Sequence, residues 1–347
     1  MTPAVMRAAV YHGPRDIRLE EVPVPSPGEG EVLIEVLRSG LCGTDVTEWV
    51  AGPKLIPLHS RHPNSGHMGP MIPGHEMVGR VVESKSPEVE PGTLVAGAAS
   101  VPCWECDRCR EGRTNICQRL YSLGLNAPGS HAEYVAGPAP SFVPLPEGLS
   151  IDAAGIAQPL AVGVHAARRA GARPGDRVVL FGAGSIGTFV LSGLRHLADG
   201  LYITVVDVDG SRLERAARLG ADATVDGRED LRDLEGADLA IEAAGVPELL
   251  TRATELVRPG GRVLAVGMPA RRAEIDVHHV VFNEITIDTT VALVIEEDLP
   301  AALDLLCETK LAEELVDSVR PLSAIPDTLD EMAAGQVAGK VLIDPRL

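Results

Sequence analysis

Apolar and polar positions change rhythm once along this chain, near residue 150. Before that point, short apolar runs rich in β-branched residues, such as 32–37 and 77–82, alternate with segments broken by proline and glycine: VPVPSPGEGE, GPKLIPLHSRHPNSGHMGPMIPGHE and EVEPGT. Such punctuation predicts short strands in an irregular barrel with long loops. From Asp176 onward, apolar runs alternate with amphipathic stretches. RVVLFGAG leads into a helix through about Ala198, and YITVVDVD into a helix over SRLERAARLG. ATVD, DLAIEAAG, a helix over PELLTRATELV, and GRVLAVG follow. This alternation predicts a parallel sheet with helices on both faces. EITIDTTVAL is a last strand candidate; helical LPAALDLLCE and AIPDTLDEMAAG come next, and KVLIDP closes the chain as a strand. No internal repeat or low-complexity tract interrupts the pattern.

Length and charge narrow the picture. A chain of 347 residues is too long for one ordinary core and predicts about two domains. No run approaches the roughly eighteen apolar residues a membrane-spanning helix needs. A formal net charge of −18 disfavours nucleic acid and anionic membrane as partners. The N-terminus MTPAVMRAAVYHGP carries no apolar signal run, and with reduced cysteines this predicts a cytoplasmic protein.

Four of the six cysteines, Cys103, Cys106, Cys109 and Cys117, follow the spacing C-x2-C-x2-C-x7-C. Four thiolates so close can enclose one tetrahedral Zn²⁺ in a closed site. The rivals are weaker. Disulfides need an oxidising compartment. Iron–sulfur ligation favours a shorter last gap followed by proline, whereas Gln118 follows Cys117. Four reduced structural thiols would need more core-forming neighbours than CWECDRCREGRTNIC offers.

Gly182-Ala183-Gly184-Ser185-Ile186-Gly187 fits G-x-G-x-x-G between a strand run at 178–181 and a helical pattern, and Asp207 ends the next strand twenty residues after Gly187. The glycines permit a tight turn and close approach to a pyrophosphate at a helix N-terminus. Asp207 would accept hydrogen bonds from ribose hydroxyls and repel a 2′-phosphate, which favours NAD over NADP. Read blandly, this is a βα turn with a capping aspartate. Arg212 either flanks the adenosine or is a solvated helix-face charge.

Cys42 stands in Gly-Leu-Cys-Gly-Thr-Asp, and His75-Glu76 follow some thirty residues on. Thiolate, imidazole and carboxylate are all zinc ligands, and three of them with an open position make a catalytic zinc. The local spacing does not show that they meet. CGTD also reads as a helix N-terminus capped by Thr44 or Asp45, and His75 as a loop histidine.

Taken together, CGTD at 42–45, GHE at 74–76, the cysteine lobe, GAGSIG with Asp207, and VGMP at 266–269, which includes Val266, resemble the zinc-dependent medium-chain alcohol and polyol dehydrogenases over nearly the whole chain. The segment from Glu48-Trp49 to Gly52-Pro53, with its loop through Pro63 and Gly66, looks most like the butanediol dehydrogenase branch. The resemblance implies an α/β protein. A GroES-like β-barrel catalytic domain at 1–159 and 292–347 would carry a structural zinc lobe at about 98–120. A Rossmann domain, a doubly wound parallel sheet at 160–291, would bind NAD. Cys42, His75 and Glu76 would hold a catalytic zinc, and the four cysteines a structural one. Thr44 would hydrogen-bond the substrate oxygen and begin a proton relay, with Asp45 buttressing His75. The implied reaction is reversible: zinc binds the alcohol oxygen, an alkoxide forms, and hydride passes to the nicotinamide.

Two positions depart from the family pattern. A relay histidine is common where Thr47 stands, so the proton would leave by water, a ribose hydroxyl or a loop histidine among His59, His62 and His67. Gln158 occupies a position where polyol-type members carry Glu and alcohol dehydrogenases Cys; it would orient water or a substrate hydroxyl. The function expected is an NAD-dependent oxidation of a secondary hydroxyl on a polar diol, polyol or cyclitol. The alternatives are a simple alcohol or aldehyde reductase and a non-catalytic NAD(H)-binding protein. Trp49 is a pocket wall or a core residue. Family resemblance also implies a homodimer or homotetramer, with an edge strand near 285–293 available to pair.

Overall fold

The computed structural model describes residues 2–269 and 271–347. The chain divides into two compact units, Met1–Gln158 with Val294–Leu347, and Pro159–Leu293.

The first unit is built on a seven-stranded sheet. Its path runs Val316–Pro321, Lys340–Asp344, Glu31–Gly40, Glu76–Ser84, Leu94–Gly97, Phe142–Pro144, and Tyr134–Pro138 also pairs with Glu31–Gly40. Both runs expected near 32–37 and 77–82 lie inside central strands. Alternating inward residues Val32, Ile34, Val36, Met77, Val81 and Val95 pack with Phe142 into one core, the burial that drives this sheet to close. The register matters most at one end. Gly40 lies opposite both Glu76 and Leu342, so three strand ends converge there. Only a glycine fits: a Cβ on Gly40 would lie 3.0 Å from the Glu76 Cβ and overlap its carboxylate.

Trp49 is core. It is 5% exposed, clusters with Leu322, Ile325 and Leu329, and donates its indole N–H to Asp330 at 2.8 Å. Glu48 is also buried and structural, its carboxylate accepting the Lys54 and Leu55 N–H groups at 2.6–3.1 Å.

The second unit is a six-stranded, all-parallel sheet in the order Ala223–Asp226, Tyr202–Asp207, Arg177–Phe181, Ala237–Glu242, Val257–Ala265, Thr286–Thr289. Numbered along the chain, that is 3-2-1-4-5-6, a Rossmann topology whose order reverses beside Arg177–Phe181. Two apolar clusters line its faces, one around Leu180, Val190 and Leu264, the other around Phe181, Leu256 and Val263. The helices Ser185–Leu197, Gly210–Arg218 and Pro247–Leu256 follow the expected segments. The strand expected over EITIDTTVAL is short, only Thr286–Thr289. The helices Ala157–Ala170 and Val277–Phe282 were not foreseen; the first is interrupted by proline and glycine in sequence, which hides its period.

Those glycines let helices meet closely. A Cβ on Gly163 would lie 2.4 Å from the Phe189 Cβ, whereas one on Gly210 would meet nothing within 4 Å. Overpacking of this kind costs about 1–3 kcal/mol. Gly163→Ala should therefore lower the thermal midpoint by several degrees, while Gly210→Ala leaves it within error, both read by differential scanning calorimetry.

Candidate active site

In the first unit, Cys42 precedes the helix Gly43–Ala51, and its N–H donates to the Asp45 carboxylate at 2.9 Å. The helix-terminus reading and the metal reading of CGTD thus describe one structure: capping fixes the backbone that carries the thiol. Thr44 Oγ1 lies 3.9 Å from Cys42 Sγ. The convergence at Gly40 brings His75 and Glu76 to the same place. Donor atoms of Cys42, His75 and Glu76 all lie within 4.8 Å of one another.

The His75 loop is held by the segment at 129–131. Gly129, Ser130 and His131 donate backbone N–H groups to the carbonyls of Ile72, Gly74 and Pro73 at 2.8–2.9 Å. Gly74 has φ +97, and a Cβ there would come 2.6 Å from His131 Nδ1. His75 Nδ1 faces Asp45 Oδ1 at 3.8 Å and has no hydrogen-bond partner among the described residues. Burial disfavours its imidazolium, but the charges of Asp45, Cys42 and Glu76 outweigh that and lift its pKa to about 9. A soft–borderline donor set, buried and anionic enough to favour a cation, fits Zn²⁺.

Two residues of this site escaped the sequence reading. Lys340 is buried, and its Nζ lies 2.7 Å and 2.6 Å from the two Glu76 oxygens while donating to the Leu41 carbonyl at 2.8 Å. Burial acts to lower its pKa, but Glu76, Cys42 and Asp45 prevail and raise it. The available signal was a lone lysine opening the apolar strand KVLID. His131, in GSHAEY, is 1% exposed, and burial pushes its pKa down to about 4, so it is neutral.

The other expected participants have partners or surroundings of their own. The Thr47 hydroxyl donates to the Gly43 carbonyl at 2.9 Å. His62 Nδ1 accepts the Ser65 N–H at 3.1 Å, His67 Nε2 lies 3.3 Å from the Gly69 carbonyl oxygen, and His59 is exposed. Gln158 is half-buried, second in the helix Ala157–Ala170.

The cysteine lobe has sulfurs 3.4–4.0 Å apart: Cys103–Cys117 3.4, Cys106–Cys109 3.6, Cys106–Cys117 3.8 and Cys103–Cys109 4.0 Å. A tetrahedron with Zn–S bonds of about 2.3 Å has edges of about 3.8 Å. All four cysteines are free, so the disulfide alternative fails. N–H groups of Cys103 and Arg119 point at Cys117 Sγ, each at 3.2 Å, as metal-bound thiolates require. The Glu105 N–H leads the groups that hold Cys103 down at about 6, while burial and its neighbouring thiols push Cys109 up to about 12. A cation at the centre would hold all four as thiolates.

In the second unit, the helix Ser185–Leu197 starts at Gly184 with no side-chain cap, leaving N–H groups to a ligand. Each glycine has a distinct reason. Gly182 has φ +94; a Cβ on Gly187 would lie 1.8 Å from the Gly182 carbonyl oxygen; one on Gly184 would enter open space, which leaves room for a ligand to approach the backbone. Asp207 ends its strand beside this turn, its two oxygens accepting the Ala183 and Asp209 N–H groups at 2.6 and 3.0 Å. Ser185 is exposed and Ile186 packs against the core. Arg212 pairs with Asp209 at 3.7 Å, and the Val266 N–H donates to the Glu242 carbonyl at 2.8 Å.

Residues 28–147 match the alcohol dehydrogenase GroES-like domain, and residues 185–308 the zinc-binding dehydrogenase domain. The chain is 35% identical to an L-threonine 3-dehydrogenase of Solibacter usitatus, over 78% of this chain and 79% of that one. It is 33% identical to a sorbitol dehydrogenase of Bacillus subtilis, over 82% of each. The solved 2R,3R-butanediol dehydrogenase of Bacillus subtilis matches with a TM-score of 0.89 at 28% identity, covering 98% of this chain and 99% of that one. The chain therefore belongs to the zinc-dependent medium-chain alcohol and polyol dehydrogenases. It is an enzyme of that family, whose cofactors are zinc and NAD.

The purified protein should carry two zincs per chain by elemental analysis. Cys42→Ser should lose one and Cys109→Ser the other; two zincs retained in Cys42→Ser would remove Cys42 from the ligand set.

Proposed function

We propose that this enzyme oxidises a secondary hydroxyl of a small polar diol, polyol or cyclitol to a ketone, reversibly, with NAD. The observation that carries the reading is the trio Cys42, His75 and Glu76 with donor atoms within 4.8 Å and the Thr44 hydroxyl beside the thiol. Cys42, His75 and Glu76 would hold a zinc whose Lewis acidity would favour loss of a hydroxyl proton, and bound NAD would supply the hydride acceptor. Thr44 would relay that proton, its hydroxyl accepting it while giving up its own; Thr47 cannot act as a base, so the route onward is water or a cofactor ribose hydroxyl. Asp207 binds the adenosine ribose, at the uncapped helix start of Gly184. The names of the relatives support a secondary carbinol: carbon 3 of threonine and both carbinols of butane-2,3-diol are secondary.

Charge supports a catalytic centre over a non-catalytic binding protein. With a metal-bound thiolate, Asp45 and Glu76 on one side and Lys340 and a divalent ion on the other, the buried charges balance. A neutral Gln158 preserves that balance. The edge strand Thr286–Thr289 and the exposed Val277, Val281 and Phe282 in the same unit suit a homo-oligomeric contact. Reduced cysteines and an acidic surface suit the cytoplasm; among the described residues no helix is long and apolar enough to cross a membrane.

An NAD-reduction screen over diols, polyols, cyclitols and simple alcohols should give its highest kcat/KM with a polar vicinal diol or polyol. Preference for unbranched primary alcohols would favour the reductase alternative, and activity with NADP but not NAD would overturn the role of Asp207. Gln158→Glu should move the acid limb of the kcat/KM–pH profile upward, because an added negative charge opposes hydroxyl deprotonation. An unchanged profile makes Gln158 a bystander.

A further inference from the structure

Behind the proposed metal ligands lies a chain of buried polar side chains that the reaction described above does not use. Ser130, Ser39 and His131 are each at most 1% exposed. Ser130 Oγ lies 2.7 Å from Ser39 Oγ, which lies 2.8 Å from His131 Nδ1. At the far side of the ring, His131 Nε2 lies 3.9 Å from Asp45 Oδ1 and has no hydrogen-bond partner among the described residues. The same oxygen faces the unpartnered Nδ1 of His75 at 3.8 Å.

We propose that His131 is a positioning residue for the metal ligand His75, acting through the Asp45 carboxylate that both imidazoles face. The inference rests on the zinc dehydrogenase reading above and assigns a residue that reading leaves out.

Two hydrogen-bond orders fit the serines, and the Asp45 charge selects one. The Gly74 carbonyl accepts the Ser130 N–H at 2.9 Å and lies 3.1 Å from the Ser130 Oγ, so that hydroxyl donates either to Gly74 or to Ser39. With a carboxylate facing the other side of the His131 ring, the favoured order runs from the Ser130 hydroxyl to Ser39 and from the Ser39 hydroxyl to His131 Nδ1. That order leaves the His131 proton on Nε2, facing the carboxylate; the opposite tautomer would set a lone pair against it. Asp45 Oδ2 is held by the Cys42 N–H at 2.9 Å, so Oδ1 is the oxygen left for the two rings. One carboxylate oxygen accepts two donors, and a closure of about 1 Å turns both approaches into hydrogen bonds. A His75 whose Nδ1–H is held this way keeps Nε2 as its lone-pair nitrogen for a metal. Gly74 fits the same account: a Cβ there would strike His131 Nδ1 at 2.6 Å, so the glycine lets this ring approach the ligand loop. Space filling alone does not need a nitrogen, since phenylalanine occupies similar volume.

The test separates positioning from packing. Wild-type holoenzyme is measured first, for zinc content and dehydrogenase activity. One zinc per chain and no activity would defeat the underlying reading rather than this one. With two zincs, chelator competition and the visible spectrum of the cobalt-substituted catalytic site are compared across variants. His131→Phe should weaken retention of the chelator-labile metal on the order of tenfold, the scale of partners that orient a ligand, and shift the cobalt bands. His131→Gln, which restores a donor near Nε2, should recover most of the loss. In an Asp45→Asn background, His131→Phe should add little, because the two act in series. Retention and spectrum unchanged in folded His131→Phe overturn the proposal. So does a full additional loss in the Asp45→Asn background, or a folded His131→Gln as impaired as His131→Phe. If His131→Phe does not fold, Ser39→Ala, which removes the proton fixing the His131 tautomer, takes its place with the same readouts and the same deciding outcomes.

Discussion

The first unit depends on how it neutralises charge that it buries. Asp45, Glu76 and Lys340 are each no more than 5% exposed, and they come from three distant stretches of the chain. An isolated ion in such surroundings costs several kcal/mol. The structure offsets that cost by making the strand ends at Gly40 a meeting point: Glu76 lies opposite Gly40, and the strand carrying Lys340 pairs there too. The same register delivers Cys42 and His75. Positioning of the ligands and neutralisation of the charge are one geometric event, which is why small residues at Gly40 and Gly74 matter as much as the ligands themselves.

The two cysteine-containing groups divide labour by closure. Four sulfurs at tetrahedral spacing leave no coordination position, and backbone N–H groups aimed at Cys117 Sγ complete a self-contained staple. The trio at Cys42 supplies three donors and has a hydroxyl, Thr44, at its edge. Nothing in the chemistry of cysteine distinguishes them; the number of ligands and the neighbouring hydroxyl do.

Much of this was legible in the sequence, for a definite reason. Period-two and helical rhythms are local, so the strands at 178–181 and 202–207 and the helices after them could be read directly, and the glycine fingerprint lies within six residues. The motifs around Cys42 and His75 were visible, but their meeting depends on register, which spacing does not encode. Lys340 and His131 were missed because each sits in an otherwise apolar or unremarked run, and their roles appear only through partners far along the chain. The choice left open at Trp49 turned on packing against Leu322, Ile325 and Leu329, again distant in sequence. The strand near 285–293 was overextended because its β-branched residues read as strand beyond the four that pair.

The bond from Lys340 to Glu76 spans 264 positions. During synthesis the carboxylate is made long before its counter-ion emerges from the ribosome, at about 5–20 residues per second. For that interval of tens of seconds, the nascent barrel holds a carboxylate that cannot be buried without cost. Neutralisation of Glu76 by Lys340 therefore waits for the strand Lys340–Asp344, which places completion of this pocket late in synthesis.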